Sequence, residues 1–305
     1  MKKTFIFTVM FVFMSLMPLY AAEKMIGAIM TGDITHYNTL HRAFVDELKK
    51  QGFGAGKVQI VVQKPSPTSM AWTNAARKLV AVDANIIVTY GAPPTLSVMK
   101  ETSKIPIVFV GVPDPAALGI SAKNITGISS KVPIAGLIKN LKSFSNFSKL
   151  GIIYNSSEKD TVKQAEEVEK LGAKFGFKSV RYDLKKISGA VKLTDVNALF
   201  ITTSSVAMKS IDTIIKQARA AKIPTAAVIG GAEASGILLT FCPDPRVQGK
   251  EAAKIVSAII KGKKPSAIPA KDSGKIEMVI NLKEAKALGF NIPLDLLMSA
   301  TRVIK

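Results

Sequence analysis

Reactive side chains are scarce in this chain, and the few present are badly placed for catalysis. His36 and His41 are the two histidines among 305 residues. Their spacing puts them out of phase for a helical zinc pair, and no second ligand cluster accompanies them. Cys242 is a single cysteine without an evident activating group, and it has no partner for a disulfide. Gly52 to Lys57 is glycine-rich, yet Val58 stands where a phosphate loop needs Ser or Thr, and the segment precedes a strand instead of following one. No Gly-x-Gly-x-x-Gly follows the first strand, and no Gly-x-Ser-x-Gly elbow is present. The expectation is a protein without catalytic residues, metal or cofactor.

What the chain offers instead is a set of short loops with small, hydroxyl or carboxamide side chains. They are Thr31-Gly32-Asp33, Gly91-Ala92-Pro93, Asp114, Asn155-Ser156, Ser204-Ser205 and Gly231. Such groups hydrogen-bond a solute without adding reactivity. Asn155, Ser204 and Ser205 serve equally well as helix caps. Asp114, between two prolines, either holds a turn or pairs with an ammonium group on a ligand. Trp72 reads as a partly exposed residue at a helix start.

The elements that carry these loops follow from hydrophobic period. Met25-Ile-Gly-Ala-Ile-Met30 is a buried-strand signal, and a helix over 38–50 has Leu40, Ala43, Phe44 and Leu48 on one face. Strands at 58–62, 86–89 and 107–110 alternate with helices, one of them over 69–82. The series then restarts with strands at 150–154, 180–184, 198–201 and 225–229 and helices over 158–175 and 206–221. Ser157 and Asp160 read as a capping box for the first of those helices. Alternating strands and helices with short turns predict doubly wound parallel sheets, and ligands bind such sheets beyond the carboxyl ends of the strands.

The two series echo each other in detail. Lys104-Ile-Pro matches Lys222-Ile-Pro, and Asn85 in Ala84-Asn-Ile-Ile matches Asn197 in Val196-Asn-Ala-Leu. This is a duplicated domain, so two lobes of one architecture are expected. A strand at 237–241, an amphipathic helix over 246–261, a strand at 277–281 and two short helices at 282–288 and 293–300 complete the chain. These extra elements imply more than one crossing between lobes.

Met1-Lys2-Lys3, the apolar run from Phe5 to Leu16, Pro18 and Ala21-Ala22 read as a secretory signal peptide over 1–22. Cys242 lies far from that leader, so a lipoprotein is not expected, and the periplasm is the expected compartment. The net charge is +20, but the lysines are scattered and no nucleic-acid motif accompanies them. The charge is read as solvated surface, with weak attraction to an anionic membrane surface as the alternative; nucleic acid is not an expected partner.

Several segments together resemble the ABC transporter substrate-binding family. They are Tyr90-Gly-Ala-Pro-Pro-Thr95, Val112-Pro-Asp-Pro115, Asn124-Ile-Thr-Gly127, Gly151-Ile-Ile-Tyr-Asn155, Gly262-Lys-Lys-Pro265 and Ile280-Asn-Leu-Lys-Glu-Ala-Lys-Ala-Leu-Gly289. The resemblance implies a type I periplasmic-binding-protein fold, with two lobes joined by three crossing segments near 147–150, 239–243 and 264–268. It assigns 23–147 plus 243–264 to lobe one and 148–242 plus 265–305 to lobe two. It implies a small-molecule ligand in the cleft, an aromatic or other amino acid, and an ABC permease and ATPase as partners. The family's loops fall here on Gly91, Ala92, Pro93, Thr95, Asp114, Asn155, Ser204 and Ser205. The rival readings are an exported ligand sensor for a membrane receptor and an exported hydrolase on a flavodoxin-like sheet.

Overall fold

The computed structural model describes residues 23–187 and 191–305. The expected leader, 1–22, lies outside the described residues. The first run comprises β1 (Lys24–Met30), α1 (Thr35–Lys50), β2 (Val58–Gln63), α2 (Ser69–Ala81), β3 (Ile86–Tyr90), α3 (Ala92–Glu101), β4 (Ile107–Val112) and β5 (Ile125–Ser129). The second comprises α4 (Ile134–Phe144), β6 (Lys149–Tyr154), α5 (Lys159–Phe175), β7 (Lys178–Asp183), β8 (Ala198–Ile201), α6 (Ser205–Lys209), α7 (Ile211–Ala220), β9 (Thr225–Ala227) and β10 (Leu239–Pro243). The tail adds α8 (Pro245–Ile260), β11 (Lys271–Asp272), β12 (Ile276–Asn281), α9 (Leu282–Leu288), α10 (Leu294–Ser299) and β13 (Arg302–Ile304).

These strands form two sheets. The first has the order β11-β5-β4-β3-β1-β2 and the second β13-β12-β10-β9-β8-β6-β7. All pairings are parallel except β10 with β12. The apolar strands are covered on both faces, as parallel sheets require: β3, β4 and β5 are buried at every residue.

The duplication reaches individual atoms. The Asn85 carboxamide accepts from the Met25 N–H at 2.7 Å, and the Asn197 carboxamide accepts from the Lys149 N–H at 2.9 Å. The carbonyls of Pro106 and Pro224 accept from Ile87 and Leu199, each at 2.9 Å. One asparagine and one proline therefore set the strand register at the same place in both lobes.

Five features depart from the sequence expectations. The segment 125–129 is a strand and 134–144 a helix, both beyond the elements that hydrophobic period predicts. The helix expected over 206–221 is two helices that meet at Ser210. The chain leaves the first sheet at Ser129, and α4 buries Leu137, Ile138 and Leu141 in one cluster with Phe147 and Leu150 of the second lobe. The first crossing is therefore 130–133, ahead of the expected 147–150. The last crossing comes after the expected 264–268, because Lys271 and Asp272 still pair with Ile128 and Ser129 of the first sheet. The middle crossing runs from Pro243 into α8, which packs along α1 in the first lobe.

The lobes lie against each other. A single buried cluster joins Leu40 and Phe44 of α1 to Val206, Ala207 and Ile229 of the second lobe. Each fully buried side chain of that kind stabilises by about 1.5–3 kcal/mol.

Candidate functional site: the cleft between the lobes

The first-lobe wall is built on β1, β3 and β4. Thr31 closes β1, and both its N–H and its hydroxyl donate to the Tyr90 carbonyl. The Trp72 indole N–H donates to the Thr31 carbonyl at 2.8 Å, and the ring is only 2% exposed. The expected partly exposed Trp72 is therefore corrected: it is a buried brace for the Thr31 turn. Gly91 takes φ +92°, and a Cβ there would stand 2.2 Å from Thr31 Oγ1 and 2.7 Å from the Tyr37 hydroxyl. Only glycine satisfies both the backbone angle and the close approach.

The Gly91–Thr95 loop contributes shape more than donors. Pro93 and Pro94 have no N–H in the first turn of α3. Thr95 donates its hydroxyl proton to the Gly91 carbonyl at 2.7 Å, so Thr89 donates to Thr95 Oγ1, also at 2.7 Å. Ala92 is fully buried. Asp114 accepts from the Ala117 N–H at 3.0 Å and from Lys131 Nζ at 2.8 Å. Lys131 and those hydrogen bonds hold its carboxyl below the usual range.

The second-lobe wall centres on two carboxylates that sequence reasoning missed as site residues. Glu158 precedes α5 without capping it. Its carboxylate turns to the start of α6, where it accepts from the Ser205 N–H at 3.0 Å, the Ser205 hydroxyl at 2.8 Å and the Ser204 hydroxyl at 3.3 Å. Asp160 Oδ2 accepts from the Thr203 hydroxyl at 2.8 Å, while Oδ1 is buried without a well-formed hydrogen bond, with only the backbone N–H groups of Asp160 and Thr161 near the carboxylate. The expected Ser157–Asp160 capping box does not form, because Asp160 is turned inward to Thr203. Gln164 accepts from the Thr203 N–H at 2.9 Å. Burial first, then the neighbouring Asp160 charge, raises the Glu158 carboxyl well above its ordinary value, and burial raises Asp160 likewise.

Across the cleft stands Tyr37 of α1. Burial pushes its hydroxyl well up, and the Asp160 and Glu158 charges push it further. Asn155 closes β6 with its side chain accepting from the Ser157 N–H at 2.8 Å, an Asx turn. Ser204 caps α6 by accepting from the Ala207 N–H at 3.3 Å, so the cap and the Glu158 contact coexist. Gly231 lies at the other end of the cleft against Thr35 and His36 of α1, and its N–H donates to Glu233 at 2.9 Å. His36 is buried there, and its pKa is lowered to about 4, chiefly by desolvation.

Beside these walls, between the 113–118 loop of the first lobe and α5 of the second, is a cavity of about 390 Å³; Asp114 and Asp160 line it, while Thr31, Tyr37, Gly91, Glu158, Ser204 and Ser205 do not. Asp114 and Lys131 line it from one side, and Asp160, Lys163, Gln164 and Glu167 from the α5 side. The structure thus brings Thr31, Gly91 and Tyr37 together on one wall and Ser204, Ser205, Glu158 and Asp160 on the other. Asp114 lies at the cavity, Asn155 in the turn behind Glu158, and Gly231 apart from both. The missed pair had a sequence signal: Glu158-x-Asp160 directly follows the polar turn that ends β6. Among the described residues, no three His, Cys, Asp or Glu side chains are placed to hold a metal. The arrangement is suited to accepting hydrogen bonds from a donor-rich solute held between two bodies.

Known proteins share this architecture. Residues 34–304 match the family described as ABC transporter substrate binding protein. A tyrosine-binding protein of Clostridioides difficile is 24% identical over 281 residues, covering 87% of this chain and 81% of that one. A crystal structure from Streptococcus pneumoniae, solved in complex with L-Trp, superposes with a TM-score of 0.87 at 22% identity, covering 93% of this chain and 100% of that one. The leucine-binding protein LivK of Thermotoga maritima superposes at 0.62 with 14% identity over 78% of this chain and 83% of that one. With two parallel-sheet lobes of the type I periplasmic-binding kind and a family match over most of its length, the chain belongs to the ABC transporter substrate binding protein family.

Proposed function

We propose that this chain is an extracytoplasmic receptor that captures an amino acid or related amine between closing lobes and presents the closed form to an ABC permease and its ATPase. The observation that carries this reading is the buried Asp160 oxygen without a well-formed hydrogen bond at an interlobe cavity of about 390 Å³. A buried polar atom so placed is costly, and a solute donor bridging the lobes would satisfy it only in the closed arrangement. Closure then follows from contacts that differ between the open and closed states. The relatives named for tyrosine and solved with L-Trp support an amino acid as the cargo class. The leader expected over 1–22 supports export. Binding and release need no covalent step, and the loops serve as recognition surfaces.

A thermal-shift screen of amino acids and amines, followed by small-angle scattering with each hit, tests the reading. The expected result is a stabilising solute that also lowers the radius of gyration. A tightly bound solute that leaves the scattering profile unchanged overturns capture by closure.

A further inference from the structure

The distribution of charge is opposite inside and outside. The chain carries net charge +20, yet among the described residues the buried charged side chains are Glu158, Asp160, Glu233 and Glu284, all acidic. Glu284 is answered by Arg219, with a contact at 2.9 Å and another at 2.6 Å. Glu233 has Arg302 at 3.8 Å. Glu158 and Asp160 have no such cation. Their partners are the hydroxyls of Thr203, Ser204 and Ser205 and backbone N–H groups, that of Ser205 on Glu158 and those of Asp160 and Thr161 near Asp160. Asp160 Oδ1 makes no well-formed hydrogen bond, with only the backbone N–H groups of its own residue and Thr161 near the carboxylate, and the residue is 4% exposed and lines the cavity.

The cationic groups at that cavity do not reach inward. Lys131 is paired with Asp114 at 2.8 Å and Lys163 with Glu166 at 2.9 Å, and their side chains are 62% and 52% exposed. Tyr37 faces the carboxylates from α1 as a neutral phenol. The aromatic rings of the first-lobe wall are already committed. Trp72 holds Thr31, and the Tyr90 hydroxyl is bonded to His41 at 2.8 Å. A carboxylate on the solute would add negative charge to a space that lacks a buried cation.

We propose that the cargo is an organic cation, a primary amine whose positive charge exceeds its negative charge, with its ammonium on Asp160 Oδ1 beside Glu158. This deepens the solute-capture reading above and rests on it. Two adjacent buried carboxylates cannot both ionise without a counter-charge, so the empty site holds protons that the arriving ammonium replaces. Binding therefore releases protons and weakens as the solution is acidified. The charged groups around the pair are Asp114, Lys131, Lys163, Glu166, Glu167 and Lys170 at the cavity, together with Tyr37.

The test is calorimetric titration of the protein with 1,5-diaminopentane, L-lysine and L-tyrosine at neutral pH, in two buffers of different ionisation heat. The expected result is that one of the two cations binds at least about tenfold more tightly than tyrosine and releases protons. Asp160→Asn is expected to weaken that cation by at least about thirtyfold. Its own melting temperature should not fall, because the amide keeps the Thr203 contact and the substitution removes a buried charge. Tyrosine binding more tightly than either cation, with compaction in scattering, overturns the cationic cargo and leaves solute capture standing. Failure of both cations to bind, or equal cation affinity in Asp160→Asn, also overturns it. A cation that binds without compaction upholds the charge assignment and removes closure.

Discussion

Glu158, Asp160 and His36 make stability depend on pH in opposite directions. Burial raises the two carboxyls, so each weighs on the folded state above its own titration and not below the ordinary carboxylate range. Asp160→Asn should therefore raise the ligand-free melting temperature at pH 8 and leave it nearly unchanged at pH 4, as followed by circular dichroism. The same burial lowers the His36 imidazole from its ordinary 6.5 to about 4. Its neutral form supports the fold above 6.5, and that support is lost as pH falls toward 4, by up to about 3 kcal/mol. His36→Gln should flatten the acid limb of the melting curve over that interval. Gly91→Ala should cost about 1–3 kcal/mol, read from chemical denaturation, because it forces a Cβ onto Thr31 at φ +92°. The polar loops were readable as residues because each follows a strand. The carboxylate pair was not, since Asp160 had a local role on offer as a cap. Its actual partner, Thr203, is 43 residues away, and only the tertiary fold decides between the two.

At the level of elements, the strands and long helices were legible because their apolar periods are clean, and the Lys-Ile-Pro and Asn echoes exposed the duplication. Strand β5 was obscured by Thr126, Gly127 and Ser129, which break an apolar run. Its burial comes from neighbours, with Thr126 donating its hydroxyl to the Ile268 carbonyl at 2.7 Å. The packing of α1 on α8 could not be read from either helix alone. It depends on Gly249, where a Cβ would fall 2.3 Å from the Leu40 carbonyl and 2.9 Å from Ala43 Cβ. Gly249→Ala should push these helices apart and destabilise by about 1–3 kcal/mol in denaturant titration, despite the better helix propensity of alanine.

At the level of the molecule, the two-lobe plan followed from the repeat, whereas the crossings did not. Boundaries between lobes are set by which sheet a segment pairs with, and α4 and β11 carry no local mark of their sheet. The buried cluster that joins α1 to Val206 and Ile229 describes lobes in contact. Its apolar area is exposed when they part, so closure by ligand should carry a negative heat-capacity change. Titration calorimetry at several temperatures measures it, and a value near zero would mean the lobes do not move.

The order in which segments leave the ribosome has a bearing on how this protein matures. The first sheet is not finished until Lys271 and Asp272 are laid beside β5, and α1 lacks its packing partner α8 until residues 245–260 are made. Nearly the whole second half must be synthesised before the first half can lock. Contacts so distant along the chain form slowly. The amino-terminal body therefore completes its sheet and its helix packing late in synthesis.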